Sequence, residues 1–596
     1  MSVTPIKQAG LLTIQQFQRA VTASETKLAE VDSRPSHTAR RLATDLIKFN
    51  LFSPTIIKTA KELVKSVSGL ATTVFKVARN PRAALTAVRM FRGDYSAFEE
   101  YFIKNIPIKK PEYKGFREGL YLIPFEQFDP NSNQCFKQGD SSLGMELKQY
   151  DGSSMIVEHN GKKGELYVIT DKNSDRYGIL RELFGVSGPL GAGDHKEHER
   201  AKALINYKKY FSTSAIKEGR EGIANTIYQN AIHIEKLLKS GNEFDLKKEW
   251  RSSVSDTLFK CMIGDISEED KNSIIEYIDK GFKYLIRVKA LSPIKGGLTV
   301  FSRKNQEGEE ALKELDRIGL KMLIKRLKTL QEKTEPEDLF DEFALAAVKL
   351  VNDGSHTPEE AAFEVSKIFF EMIGAGFFTR LESRSNFDHL ALTDPDFRQG
   401  LEQALDNFNS KDLNGIIREA LANENLLKPF QAAACAALAY QPTVLFVSRN
   451  FRIVLRDPEQ KEEITELKDY ELKQLIQKYK LEHPLLAIGQ NKEVIYPLGG
   501  YCREGLRRGE FLRNNRLNSN EVFNPEKLKE ITDIGSWQFG MGTRGCLGGR
   551  LAVETLTWDA LCMAYLLKNF PGMKISGETK INFNIFLGKE FNVINK

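Results

Sequence analysis

The segment Phe539-Gly-Met-Gly-Thr-Arg-Gly-Cys-Leu-Gly548 gathers the residue types in this chain best suited to chemistry. Cys546 stands directly before the run Leu547–Leu567, which reads as a helix. A thiol at a helix N-terminus is stabilised as a thiolate by the dipole and by backbone N–H groups. Gly540, Gly542 and Gly545 have no Cβ, so the backbone can come close to the sulfur; Gly548 continues the pattern. Arg544 offers a planar fork for a carboxylate two residues before the thiol, and Phe539 offers a flat apolar cover. These roles fit a thiolate that ligates iron. The bland alternative is a glycine-rich loop with an incidental buried cysteine.

The surrounding elements must hold that segment in place. The chain has 596 residues, enough to bury a large prosthetic group. Hydrophobic residues make up 41% and charged residues 28%, as in an ordinary globular protein, and a net charge of +6 gives no reason to expect nucleic acid as a partner. The six cysteines form no Cys-x-x-Cys pair or zinc grid, which suggests reduced thiols and a cytoplasmic setting. No apolar run reaches the roughly 18 residues of a transmembrane helix, and no secretory leader is evident.

Residues 1–112 read as a separate N-terminal extension ahead of a main domain over 113–596. Leu63, Val67, Leu70, Val74 and Val77 recur at helical spacing beside Lys58, Lys61 and Lys65. This amphipathic basic helix either packs on the main domain or makes peripheral contact with a membrane surface. Ser154–His159 and Glu165–Thr170 read as strands of a hairpin turned at Asn160-Gly161. Beyond Asp171 helical stretches dominate, among them 358–382, 395–408, 430–456 and 458–483. Trp250-Arg251 reads as a helix surface anchor and Gly499-Gly500 as a turn.

The Phe539–Gly548 segment resembles the heme-binding signature of the cytochrome P-450 superfamily at every defined position, and Leu551, Ala552 and Glu554 extend the resemblance. It implies a mainly α, cytochrome P-450 fold, a large helical domain with a small β-sheet subdomain. It also implies heme b (iron-protoporphyrin IX), with Cys546 as axial ligand and Arg544 on a propionate. Gly193–Lys202 looks like the family's propionate-contacting helix, with His198 and Lys202 in the contacting places; Lys stands where the family usually has Arg, a weaker bidentate partner. The family's Glu-x-x-Arg pair is altered. Its best match is Gln477–Lys480, and Glu419–Ala422 is a weaker one.

Two segments compete for the oxygen-site helix. In Gly374-Ala-Gly-Phe-Phe-Thr379 the family's acid is replaced by Phe378, leaving Thr379 beside the oxygen. In Ala436–Phe446 the acid–alcohol pair reads Gln441-Pro442, with Thr443 following. The second resembles the P-450-type hydroperoxide isomerase domain of fungal fatty-acid diol synthases, and this reading is preferred. Gln cannot deliver a proton as a carboxylic acid does, but it can hydrogen-bond a peroxide.

The resemblance therefore implies an oxidoreductase acting on a small hydrophobic, fatty-acid-like substrate by rearranging or using a lipid hydroperoxide, with a separate dioxygenase supplying it. The first alternative is a monooxygenase served by a separate redox partner. The second is a non-catalytic heme sensor.

Overall fold

The computed structural model describes residues 112–113, 120–122, 145–149, 152–171, 195–204, 206–262, 264, 266–290, 303–330, 336–445, 447–457, 464–540, 545–583 and 586–596. The basic helix expected around residues 58–77 lies outside them, as does Arg544. The architecture is mainly α, with a large helical body and small sheets, as the sequence predicts.

The main sheet of the described residues holds β1 (Glu112–Tyr113), β2 (Leu120–Leu122), β3 (Met145–Glu146), β4 (Ile156–His159), β5 (Lys162–Asp171), β7 (Val447–Arg456), β8 (Ile464–Glu466) and β9 (Lys492–Tyr496). Asn160 and Gly161 turn β4 into β5 with φ of 53° and 75°, and His159 faces Lys162 across the turn. Both turn residues thus occupy the left-handed region that a two-residue hairpin requires. A smaller sheet joins β6 (Phe244–Asp245) to the hairpin of β10 (Met573–Phe583) and β11 (Leu587–Asn595).

The helical body runs through α1 (His195–Ala203), α2 (Arg220–Ser240), α3 (Leu246–Met262), α4 (Glu268–Ala290), α5 (Arg303–Leu330) and α6 (Leu339–Asn352) to α7 (Pro358–Thr393). At 36 residues, α7 is the longest helix described, and almost all of its length is buried. Its ends are written locally. The Thr357 side chain accepts from the Glu360 N–H while Glu360 accepts from the Thr357 N–H, and Pro358 occupies the first turn. Asp394 then caps α8 (Pro395–Ala404), again with Pro in the first turn. Inside α7, Gly376 admits α3 closely, since a Cβ there would lie 3.0 Å from Leu258 Cδ1.

The segment over 430–456 corrects the sequence reading of a single helix. After α9 (Leu413–Ala422), α10 (Lys428–Tyr440) ends at Tyr440, and Gln441 leaves helical geometry at φ −125°, ψ 73°. Pro442 disfavours the α conformation for the residue before it. Val447–Arg456 then forms β7, between β5 and β9. The buried apolar residues of β7, Phe451 and Ile453–Leu455, make too short a stretch to separate a strand from a buried helix by periodicity.

The range 458–483 likewise resolves into β8 and α11 (Asp469–Tyr479). Gln477 and Lys480 are exposed there, and Lys480 is the left-handed cap at φ 51°. Glu419 accepts from the Asn409 and Ser410 N–H groups. Neither segment forms the ionic pair expected of a Glu-x-x-Arg match. Gly499-Gly500, expected as a turn, opens α12 (Leu498–Arg508).

The chain closes on α13 (Leu528–Ser536), the Cys546 loop and α14 (Gly549–Asn569). α10 packs against both helices. Its buried face is mostly alanine, so backbones approach closely; a Cβ on Gly535 of α13 would lie 2.8 Å from the Cys435 carbonyl oxygen.

Candidate active site

Cys546 sits in a short connection between two rigid pieces. Upstream, a 3-10 turn over Trp537–Phe539 ends at Gly540, whose φ of 69° suits glycine. Downstream, α14 begins at Gly549, and its C-terminal half is buried on nearly every side. The Cys546 N–H donates to the Phe539 carbonyl at 2.7 Å, which closes the loop on itself. The Phe539 ring lies against Gly549, where a Cβ would come within 3.0 Å of it.

Of the cysteines described as free, Cys435, Cys502 and Cys562 are buried and Cys546 is exposed. Burial pushes the first three thiols up to about 12, which leaves them inert. The Cys546 thiol is also raised by burial, but the backbone N–H groups of Gly548 and Gly549 pull against it.

The donor set fits a heme-thiolate centre. The accessible sulfur carries two backbone N–H donors at the start of a long helix. Among the described residues, a Cβ at Gly540 or Gly548 would meet nothing within 4 Å. His198 and Lys202 share a face of α1. His198 is buried, with Nδ1 3.3 Å from Glu199 Oε1, and Lys202 Nζ lies 3.4 Å from the same oxygen. Burial opposes ionisation of Glu199, but Lys202 and His198 hold it below the usual carboxylate range. Arg200 turns the other way and pairs with Glu364 at 2.6 Å, fixing α1 to the first turns of α7.

The helix that carries the first competing segment meets the second segment in space. The long central helix is α7, which carries Gly374–Thr379, whereas Gln441 and Thr443 lie in the extended stretch after α10. Ser383 Oγ on α7 is 2.8 Å from Thr443 Oγ1. Asn386, one turn further, donates through Nδ2 to the Gln441 carbonyl at 3.2 Å and the Leu587 carbonyl at 3.0 Å. The Leu587 N–H completes the seam by donating to the Thr443 carbonyl at 3.0 Å. Phe378 is buried against Phe377. The Thr379 hydroxyl donates to Ala375 O at 2.7 Å, within its own helix. Gln441 Oε1 is buried and has no hydrogen-bond partner among the described residues.

Sequence reasoning missed a buried ionic cluster between α7 and α14. Arg380 Nε donates to Thr555 Oγ1 at 2.6 Å and its guanidinium pairs with Asp559. Arg384 reaches Asp559 at 2.8 Å and Asp388 at 2.9 Å, and stacks 3.9 Å above the Trp250 ring. Trp250 is therefore a core residue, not the surface anchor its sequence context suggests. Burial pushes Arg380 down to about 9 and Asp388 up to about 6, the latter opposed by Arg384. The available signal was Arg380, Arg384 and Asp388 at i, i+4, i+8 along one stripe of α7. A second tie, Arg220 to Glu554 at 2.6 Å, anchors α14 to α2.

No family model matches the chain, and no curated protein matches it. Three solved structures resemble it at low identity. One is P450BioI in complex with hexadec-9Z-enoic acid ligated acyl carrier protein, at 16% identity over 71% of this chain and 86% of that one, TM-score 0.43. Another is CalO2, at 15% over 72% and 90%, TM-score 0.45. The third is the cytochrome P450 CYP102L1, at 14% over 72% and 85%, TM-score 0.47. These likenesses are distant, and the functional reading rests on the residues of this chain.

Proposed function

We propose that this protein is a heme-thiolate oxidoreductase of the cytochrome P-450 type that uses or rearranges the hydroperoxide of a fatty-acid-like hydrophobic substrate. The observation that carries the reading is the Cys546 thiol, accessible, supported by the Gly548 and Gly549 N–H groups, and held at the start of α14. Heme b with a thiolate ligand supplies O–O bond cleavage when bound. Cys546 would be its ligand, and Phe539, Arg544, His198 and Lys202 would hold it, the last three through its propionates. Gln441 orients the peroxide, with Thr443 assisting. In this reading Gln441 stands where the family has a carboxylic acid that could deliver protons, which favours a substrate already carrying both oxygens. A separate dioxygenase supplies the hydroperoxide.

A monooxygenase served by a redox partner is the second reading, and one observation favours it: Thr379 lies in the longest helix described. Heme-loaded protein is mixed with a polyunsaturated fatty-acid hydroperoxide, without reductant, and loss of the conjugated diene is followed. Fast loss that Cys546→Ala abolishes and Gln441→Ala slows is the expected result. No loss, together with turnover of the parent fatty acid when NADPH and a reductase are added, transfers the assignment to the monooxygenase.

A further inference from the structure

The ionic cluster between α7 and α14 is costly where it lies. Arg384, Asp388 and Asp559 are almost completely buried and Arg380 nearly so. Arg380 Nη1 and Arg384 Nη2 are buried with no hydrogen-bond partner among the described residues. Two cations and two anions balance in charge, yet their desolvation is not fully offset by hydrogen bonds. Buried ion clusters of this kind are often no more stabilising than apolar side chains of the same volume, and their best-attested use is to fix register. An apolar α7–α14 interface would tolerate rotation of a long smooth helix. Arg380, Arg384 and Asp388 form one stripe along α7; the two arginines match Thr555 and Asp559 on α14, and Asp388 holds Arg384 from within α7.

That setting has a consequence on the neighbouring face. Thr379, Ser383 and Asn386 follow each other at i, i+4 and i+7, so they form a second stripe rotated by about one residue, roughly 100°, from the first. The second stripe carries the hydroxyl contact to Thr443 and the amide contacts to Gln441 and Leu587.

We propose that Arg380, Arg384, Asp388 and Asp559 are positioning residues that lock the rotation of α7 against the helix following Cys546, so that Ser383 and Asn386 face the Gln441–Thr443 segment. The cluster thereby fixes the oxygen-side wall relative to the thiolate side. Its importance for chemistry rests on the heme-thiolate reading; the rotational lock itself does not.

The test is a cross-link. In full-length, heme-loaded protein, Ser383→Cys and Thr443→Cys replace two hydroxyls that lie 2.8 Å apart. Mild oxidation should join them in high yield, read by mass spectrometry of the linked peptides. The same pair is then placed in a variant carrying Arg380→Met, Arg384→Met, Asp388→Leu and Asp559→Leu. The expected result is a melting temperature close to that of the parent with a several-fold lower cross-link yield. An unchanged yield overturns the proposal. Where the four-fold variant yields too little folded protein, Asp559→Asn gives the same two outcomes, since it removes the charge at the centre of the cluster. A heme-thiolate spectrum identical in all variants, or absent in all, leaves this result intact and bears only on the cofactor.

Discussion

Ser383 and Thr443 share a hydrogen bond of 2.8 Å across 60 residues of chain, and it joins α7, which carries one of the two segments that compete in sequence for the same role, to the other. Thr443 is buried, so breaking the pair from one side leaves a hydroxyl without its partner. Ser383→Ala or Thr443→Val alone should each cost about 1–3 kcal/mol, and the double change less than the sum. Urea unfolding of the four proteins measures this; strict additivity would show that the two hydroxyls are not coupled.

Cys546 differs from the buried cysteines in exposure and in its two N–H donors. Cys546→Ala should abolish the thiolate-type absorption of the heme-loaded protein while leaving its circular dichroism unchanged. Cys435→Ala and Cys562→Ala should retain that absorption, although each removes buried volume and lowers the melting temperature. Thiolate absorption surviving in Cys546→Ala would move the ligand elsewhere.

The contact of Gly535 with α10 leaves no room for a methyl group. A Cβ would stand 2.8 Å from the Cys435 carbonyl oxygen and 2.9 Å from its Cα, both backbone atoms that cannot swing aside. Gly535→Ala should therefore destabilise the protein by about 1–3 kcal/mol through overpacking. Thermal unfolding reads it, and an unchanged midpoint would mean that the two helices separate freely.

His483 predicts a pH effect. It accepts the Leu485 N–H on Nδ1 at 3.1 Å, which requires that nitrogen unprotonated, and burial lowers its pKa below the ordinary histidine value. A histidine whose folded pKa is depressed contributes stability that is present above its unfolded pKa and is lost as pH falls from there through the folded value. His483→Asn keeps a capping acceptor without titrating. Between pH 7 and pH 5 its stability should fall less than that of the parent. Equal losses would assign the acid sensitivity to other groups.

What could be read from the sequence was local. The thiol loop is a run of ten residues, the start of α7 is written in Thr357, Pro358 and Glu360, and its end in Asp394 and Pro395. Asn160-Gly161 likewise announced its hairpin. The errors came where one pattern has two physical meanings. The alanine run of α10 is followed a few residues later by β7, whose Phe451 and Ile453–Leu455 read equally as helix, and Pro442 marks the change. Pairing over long separations had no sequence signal at all, as with Arg380 and Asp559 or Asn386 and Leu587. Trp250 looked peripheral because charged residues surround it in sequence, yet its partner Arg384 is 134 positions away.

The bond from the Cys546 N–H to the Phe539 carbonyl has a meaning for the order in which the protein assembles. It spans only seven positions, and loops of that size close in about 10–100 ns. The opposite wall depends on contacts separated by 60 and 201 positions, whose closure entropy must be met before they form. When the full-length chain folds from its unfolded state, the sulfur-bearing turn therefore closes before the shelter around it. During that interval the thiol is open to oxidants and to stray metal ions, and early capture of the cofactor would act as a chaperone for the cysteine as well as a step in maturation.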